Sequence, residues 1–185
     1  MNARERINDE LLVIRAQEGS QRAITELVER WQDRLWRFAW RVTDDEQAAW
    51  DVLQEAWIVI SRSIGRLEDP AAFPAWAYRI TNNKARDWIR CRMSRRRADE
   101  VYGSARAESN SAEISAGNQH EDLTQALAAL PGSDRAILSF YYEDNFSIAE
   151  IAEILSIPPG TVKSRLHYAR RRLRRYLGEV SDERT

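Results

Sequence analysis

Cysteine is nearly missing from this chain: Cys91 stands alone among 185 residues. That excludes a disulfide scaffold and any cysteine-ligated zinc site, and a reducing compartment is the natural expectation. Seven glycines and five prolines are too few for collagen-like repeats. Apolar runs are short as well. The longest, Ala56 to Ile60, falls far below the roughly 20 residues that span a bilayer, and Met1-Asn2-Ala3-Arg4-Glu5-Arg6 lacks the apolar core of a secretion signal. A cytoplasmic protein without membrane insertion is expected. The two histidines, His120 and His167, stand apart from each other and from Cys91. With no phosphate-cradling glycine loop and no paired catalytic carboxylates, neither an enzyme nor a metal or other cofactor is expected.

What is present is ordinary globular stock, 43% hydrophobic and 31% charged, with room for one or two cores. Formal net charge is only −1, so the information lies in how charge is distributed. Between Arg79 and Arg97 stand Arg79, Lys84, Arg86, Arg90, Arg92, Arg95, Arg96 and Arg97 against the single acid Asp87. Between Gly160 and Arg175 seven cations meet no acid at all. The first half carries the counterweight, including Asp44, Asp45, Glu46, Asp51 and Glu55. All seven tryptophans fall between Trp31 and Trp88, so the last third must build its core from Leu, Ile and Tyr. Two domains are expected.

Residues 98–120 contain six Ser and Gly, four acids and few large apolar side chains. Such a stretch buries too little surface to offset its ordering entropy and is read as a flexible linker between a domain over 1–97 and another over 121–185. Fully extended it reaches about 75 to 80 Å, roughly two turns of B-DNA.

The periodicity is helical throughout, and an all-α fold follows. Ser20 caps a helix from about Gln21 to Val42, preceded by a shorter one over Asp9 to Gln17. A third runs from about Glu46 to Ile64, a loop covers Gly65 to Ala72, and a fourth extends to about Arg96 with Pro74 in its first turn. On that fourth helix Phe73, Trp76, Ala77, Ile80 and Trp88 share one face, while Arg79, Asn82, Asn83, Arg86 and Arg90 cluster opposite. Guanidinium groups pair with phosphates and amides form bidentate bonds to base edges, so an Arg and Asn face is suited to nucleic acid.

Toward the carboxyl end, Leu123 to Leu130 and Asp134 to Tyr142 read as two short helices. Ser147-Ile148-Ala149-Glu150 is a capping box, Ser156 to Gly160 a break, and a basic helix follows from about Thr161 to Leu177. That pair matches a helix-turn-helix. Val162, Leu166, Ala169, Leu173 and Leu177 face its core, while Lys163, Ser164 and His167 are placed to read base edges and Arg165, Arg170 and Arg171 to hold phosphates.

Phe146 to Leu173 closely resembles region four of bacterial extracytoplasmic-function sigma factors. Asp51-Val52-Leu53-Gln54-Glu55-Ala56-Trp57 and the stretch from Phe73 to Arg90 are similar to their region two, in the right order. The resemblance implies that Asp51, Gln54 and Glu55 dock on the beta-prime clamp helices of core RNA polymerase, with the beta flap a further contact. It implies that Phe73 and Asn83, with the loop from Gly65 to Ala72, hold an unstacked base of the minus-ten element, alongside Arg79, Asn82, Arg86 and Arg90. Thr161, Lys163, Ser164, Arg165, His167, Tyr168 and Arg171 would contact the minus-thirty-five element of promoter DNA. An anti-sigma factor is the implied regulator. The alternative is a stand-alone DNA-binding repressor or activator, which would grip an operator without polymerase.

Overall fold

A computed structural model describes residues 3–101, 126–127 and 130–182. The linker expected over 98–120 and the helix expected over 123–130 lie mostly outside these residues. Residues 98–101, however, continue a helix.

Each element of the first module is closed by its own end chemistry. Helix α1 (Ala3–Gln17) stops at Gly19, whose φ of 93° a side chain would disfavour. The Ser20 hydroxyl then accepts from the Ala23 amide at 3.3 Å and starts α2 (Gln21–Thr43). Leu27, Trp31, Leu35, Phe38 and Ala39 recur at three- and four-residue steps and are buried. Asp44 takes a left-handed conformation that ends α2, and the Asp45 carboxylate accepts from the Ala48 amide at 3.0 Å to open α3 (Glu46–Ser63). Two 3-10 turns, Ile64–Arg66 and Pro70–Ala72, fill the expected loop. Gln17 ties that loop to α1 by donating to the carbonyls of Ile64 and Leu67 at 3.1 and 2.6 Å. Helix α4 follows (Phe73–Val101).

The second module consists of α5 (Gly132–Tyr142), α6 (Ile148–Leu155) and α7 (Pro159–Asp182). Both halves of the capping box form: Glu150 N donates to Ser147 Oγ at 3.2 Å, and Ser147 N to the Glu150 carboxylate at 2.8 Å. Ser156 is left-handed and stops α6, and α7 begins at Pro159, two residues before the expected Thr161. Proline tolerates that first turn because its missing N–H would have no helical partner there. Val162, Leu166 and Ala169 are buried and Leu173 packs at the edge, while Leu177's side chain lies outside the described set.

The two modules share one core. Helix α2 packs on α5 and α4 on α6, and four rings meet where they join. Phe140 of α5 lies 5.0 Å from Phe38 and 4.9 Å from Tyr78, ring centre to ring centre, and Phe146 lies 5.6 Å from Tyr78. Each such ring, removed from water, contributes about 1.5–3 kcal/mol. Polar groups surround the rings. Arg41 donates to Ser139 Oγ at 2.8 Å and pairs with Glu143 at 3.3 Å, and Arg135 pairs with Asp44 at 3.6 Å.

Candidate nucleic-acid interface

Three surfaces carry the residues singled out from the sequence. On α3, Asp51, Gln54 and Glu55 are all exposed, as helical spacing at i, i+3 and i+4 requires. Glu55 accepts a charged hydrogen bond from Lys84 Nζ of α4 at 3.0 Å. Two apolar side chains flank the acids, Trp50 at 41% exposure and Ile58 at 49%. Trp50 is thus an exposed indole of the first module. Its partner ring Trp36, 5.5 Å away, also lies 5.5 Å from Trp40, which is equally open to solvent.

On α4, Arg79, Asn83, Arg86 and Arg90 are exposed and succeed each other at steps of four, three and four residues, one continuous stripe. Two members of the expected set are displaced from it. Phe73 is fully buried, its ring 5.7 Å from Trp31 and nearly perpendicular to it. The helical periodicity that put Phe73 on the apolar face describes it correctly, and a base-contacting role does not fit this placement. Asn82 is also buried, because α6 lies over it: its Nδ2 donates to the Ile154 carbonyl at 3.1 Å. Lys84 is spent on Glu55, and Arg92 bonds Asp45 at 3.2 Å with its guanidinium 5.0 Å from the Trp88 ring.

On α7, Lys163, Ser164, Arg165, His167, Tyr168 and Arg171 are exposed and Thr161 is half-buried. Ser164 Oγ donates to the Thr161 carbonyl at 3.0 Å. The cation block is smaller than its sequence suggests. Arg170, expected on phosphates, instead lies over the rings of Tyr141 and Tyr142 at 5.2 and 5.4 Å, where its charge meets their negative faces. Arg172 donates to the largely buried Asp134 at 2.8 Å, a partner 38 residues away that periodicity cannot reveal.

Between the modules Tyr78 donates its hydroxyl to Asp144 at 3.3 Å. Burial raises the Asp144 pKa above its ordinary 3.8, against the pull of the Tyr78 hydrogen bond and of Arg34 and Arg41. Burial, and then the neighbouring Asp144 charge, raise the Tyr78 hydroxyl too.

Residues 27–96 match the family model for Sigma-70 region 2, and residues 120–173 that for Sigma-70, region 4. The ECF RNA polymerase sigma factor SigW of Bacillus subtilis is 31% identical over 173 residues, 88% of this chain and 92% of the relative. The chain belongs to the ECF RNA polymerase sigma factors. The ECF RNA polymerase sigma-E factor of Escherichia coli is 29% identical to this sigma factor over 90% of the chain and 92% of the relative. Among solved structures, CnrH in complex with the cytosolic domain of CnrY superposes with a TM-score of 0.62 at 25% identity, covering 93% of this chain and 98% of that one. The sigma factor RpoE of Bartonella quintana, crystallised with the anti-sigma factor NepR, shares the fold with a TM-score of 0.64 at 22% identity over 83% of this chain and 96% of its own. Among the described residues no helix of this sigma factor is long and apolar enough to cross a membrane.

Proposed function

We propose that this sigma factor acts without catalytic groups of its own, in the cytoplasm. It binds core RNA polymerase through Asp51, Gln54 and Glu55, and it brings the enzyme to promoters read at two separated sites. The module over 1–97 takes the minus-ten element and the module over 121–185 the minus-thirty-five element, with 98–120 between them. The observation that carries this reading is the coexistence of two exposed basic surfaces on different modules with an exposed carboxylate face on α3. The Arg79, Asn83, Arg86, Arg90 stripe suits a single strand, where cations track phosphates and an amide can read a base edge. The amino-terminal turns of α7, with Lys163, Ser164, Arg165 and His167 outward, suit a major groove. Binding an opened promoter more tightly than a closed one shifts that equilibrium, and no bond needs to be made or broken by the sigma factor itself. An anti-sigma factor would act by competing for these same surfaces.

The test is reversal of the α3 carboxylates. Asp51→Arg with Glu55→Arg, both at exposed positions, should leave the circular dichroism spectrum unchanged and abolish capture by core polymerase. Undiminished capture by the doubly reversed chain overturns the docking assignment.

A further inference from the structure

Burying an indole is among the larger apolar gains open to a fold, yet this chain leaves two of them side by side in water. Trp40, near the end of α2, is 48% exposed, and Trp50, near the start of α3, is 41% exposed. Both lean on the half-buried Trp36, each with its ring centre 5.5 Å from that ring, so the three form one aromatic ledge across the two helices. Along α2, Glu29, Asp33, Trp36 and Trp40 follow one another at steps of four, three and four residues, which puts them on one face. Glu29 and Asp33 are exposed there, as are Glu46 and Asp51 of α3, and among the described residues none of these four acids is held in an ion pair. Arg37 borders the ledge on its far side.

The surroundings identify the chemistry of the occupant. DNA is disfavoured, since its phosphates would meet these acids, and the Arg79, Asn83, Arg86, Arg90 stripe lies across α4 from Ala85 and Trp88, which share a cluster with Trp36. The second module sits elsewhere on α2, at Phe38 and Arg41. An apolar centre with an acidic rim complements a basic surface that holds an apolar cleft, and through Trp50 the ledge runs directly into Asp51, Gln54 and Glu55. We propose that the Trp36, Trp40, Trp50 ledge anchors docking on core RNA polymerase: the two open indoles enter an apolar cleft of the polymerase and set how long the complex lasts, whereas Glu29, Asp33, Asp51 and Glu55 steer the encounter. The proposal rests on the reading of α3 as the docking face and extends that face onto α2. Desolvated aromatic anchors dominate the energetics of interfaces, and charges at the rim act mainly on the rate of association.

The two roles separate in kinetics. Full-length Trp40→Ala and Trp50→Ala, singly and together, are compared with the parent and with a chain carrying Asp51→Asn and Glu55→Gln. Association and dissociation rates are read by interferometry on immobilised core polymerase at about 0.05 and 0.3 M salt, which changes the screening length more than twofold. Circular dichroism establishes that each variant is folded. Trp40→Phe and Trp50→Phe keep an aromatic face against Trp36 and control for lost packing. Should the double alanine variant melt below the assay temperature, Trp40→Gln at the more exposed position carries the test alone.

Each alanine variant should leave polymerase about thirtyfold faster than the parent, with its association rate within about twofold. The neutralised chain should associate about five- to tenfold more slowly at low salt, with a flatter salt dependence and a dissociation rate much less changed. The phenylalanine variants should regain most of the residence time. Folded alanine variants that dissociate at the parent's rate overturn the anchor. A free chain that sediments as a dimer and becomes a monomer with Trp40→Ala assigns the ledge to a second copy and also overturns it. The underlying reading fails separately: undiminished capture of the chain carrying Asp51→Arg and Glu55→Arg refutes the carboxylate face, and the ledge falls with it only if the alanine variants also dwell as long as the parent.

Discussion

Replacing Phe140 by alanine tests whether the modules form one cooperative core. Phe140 is 1% exposed and belongs to α5, yet two of its three ring partners, Phe38 and Tyr78, belong to α2 and α4. The truncation removes apolar burial and leaves a cavity, together about 3–5 kcal/mol. Modules that unfold as one report the whole of that loss through either probe. All seven tryptophans lie between Trp31 and Trp88, so indole fluorescence follows the first module alone while far-ultraviolet circular dichroism follows both. With a urea dependence of about 2 kcal/mol per molar, the fluorescence midpoint should fall by about 1.5–2.5 M, together with the dichroism midpoint, although the substitution lies in the second module. A fluorescence midpoint identical to that of the parent, with the dichroism transition alone displaced, would refute the shared core.

Two further outcomes follow from the same joint and its neighbour. Asp144 is held above its ordinary pKa by burial, so the folded state binds the proton more tightly than the unfolded chain; its contribution is full below pH 3.8 and is lost as pH rises through the raised value. Asp144→Asn keeps an oxygen for the Tyr78 hydroxyl and cannot ionise. Its urea midpoint should therefore lack the decline with rising pH that the parent shows above about pH 4, and a variant that declines as steeply as the parent would count against this role. Ser147→Ala removes one half of the capping box and should cost about 1 kcal/mol, read as a lower melting temperature by dichroism and by fluorescence alike, since the two modules share one core.

The helices and their ends were legible because they depend on neighbours within a turn. Ser20, Asp45 and Ser147 cap where short polar side chains precede apolar periodicity, and Val162, Leu166 and Ala169 point inward as their spacing requires. The exposure of Asp51, Gln54 and Glu55 follows from the same geometry. What escaped depends on residues far along the chain. Asn82 lies on the polar side of its own helix, and only α6, 72 positions later, buries it. Arg170 and Arg172 look like free cations until Tyr141, Tyr142 and Asp134 are brought against them. Tryptophan count says nothing about which rings a small module has room to enclose, and Trp40 and Trp50 are left exposed. Likewise Ile7, Leu11 and Ile14 form an exposed stripe on α1 beside the buried Val13 and Ala16, because that helix carries more apolar surface than α2 can cover.

Reconstituted transcription is the most direct measurement. Core RNA polymerase is incubated with genomic DNA of the source organism, with and without the purified chain, at salt low enough for phosphate contacts to persist. Discrete transcripts that require the chain, share two spaced promoter elements and disappear with Asp51→Arg and Glu55→Arg are the predicted result. Transcription that starts at the same sites and to the same extent without the chain would contradict the account.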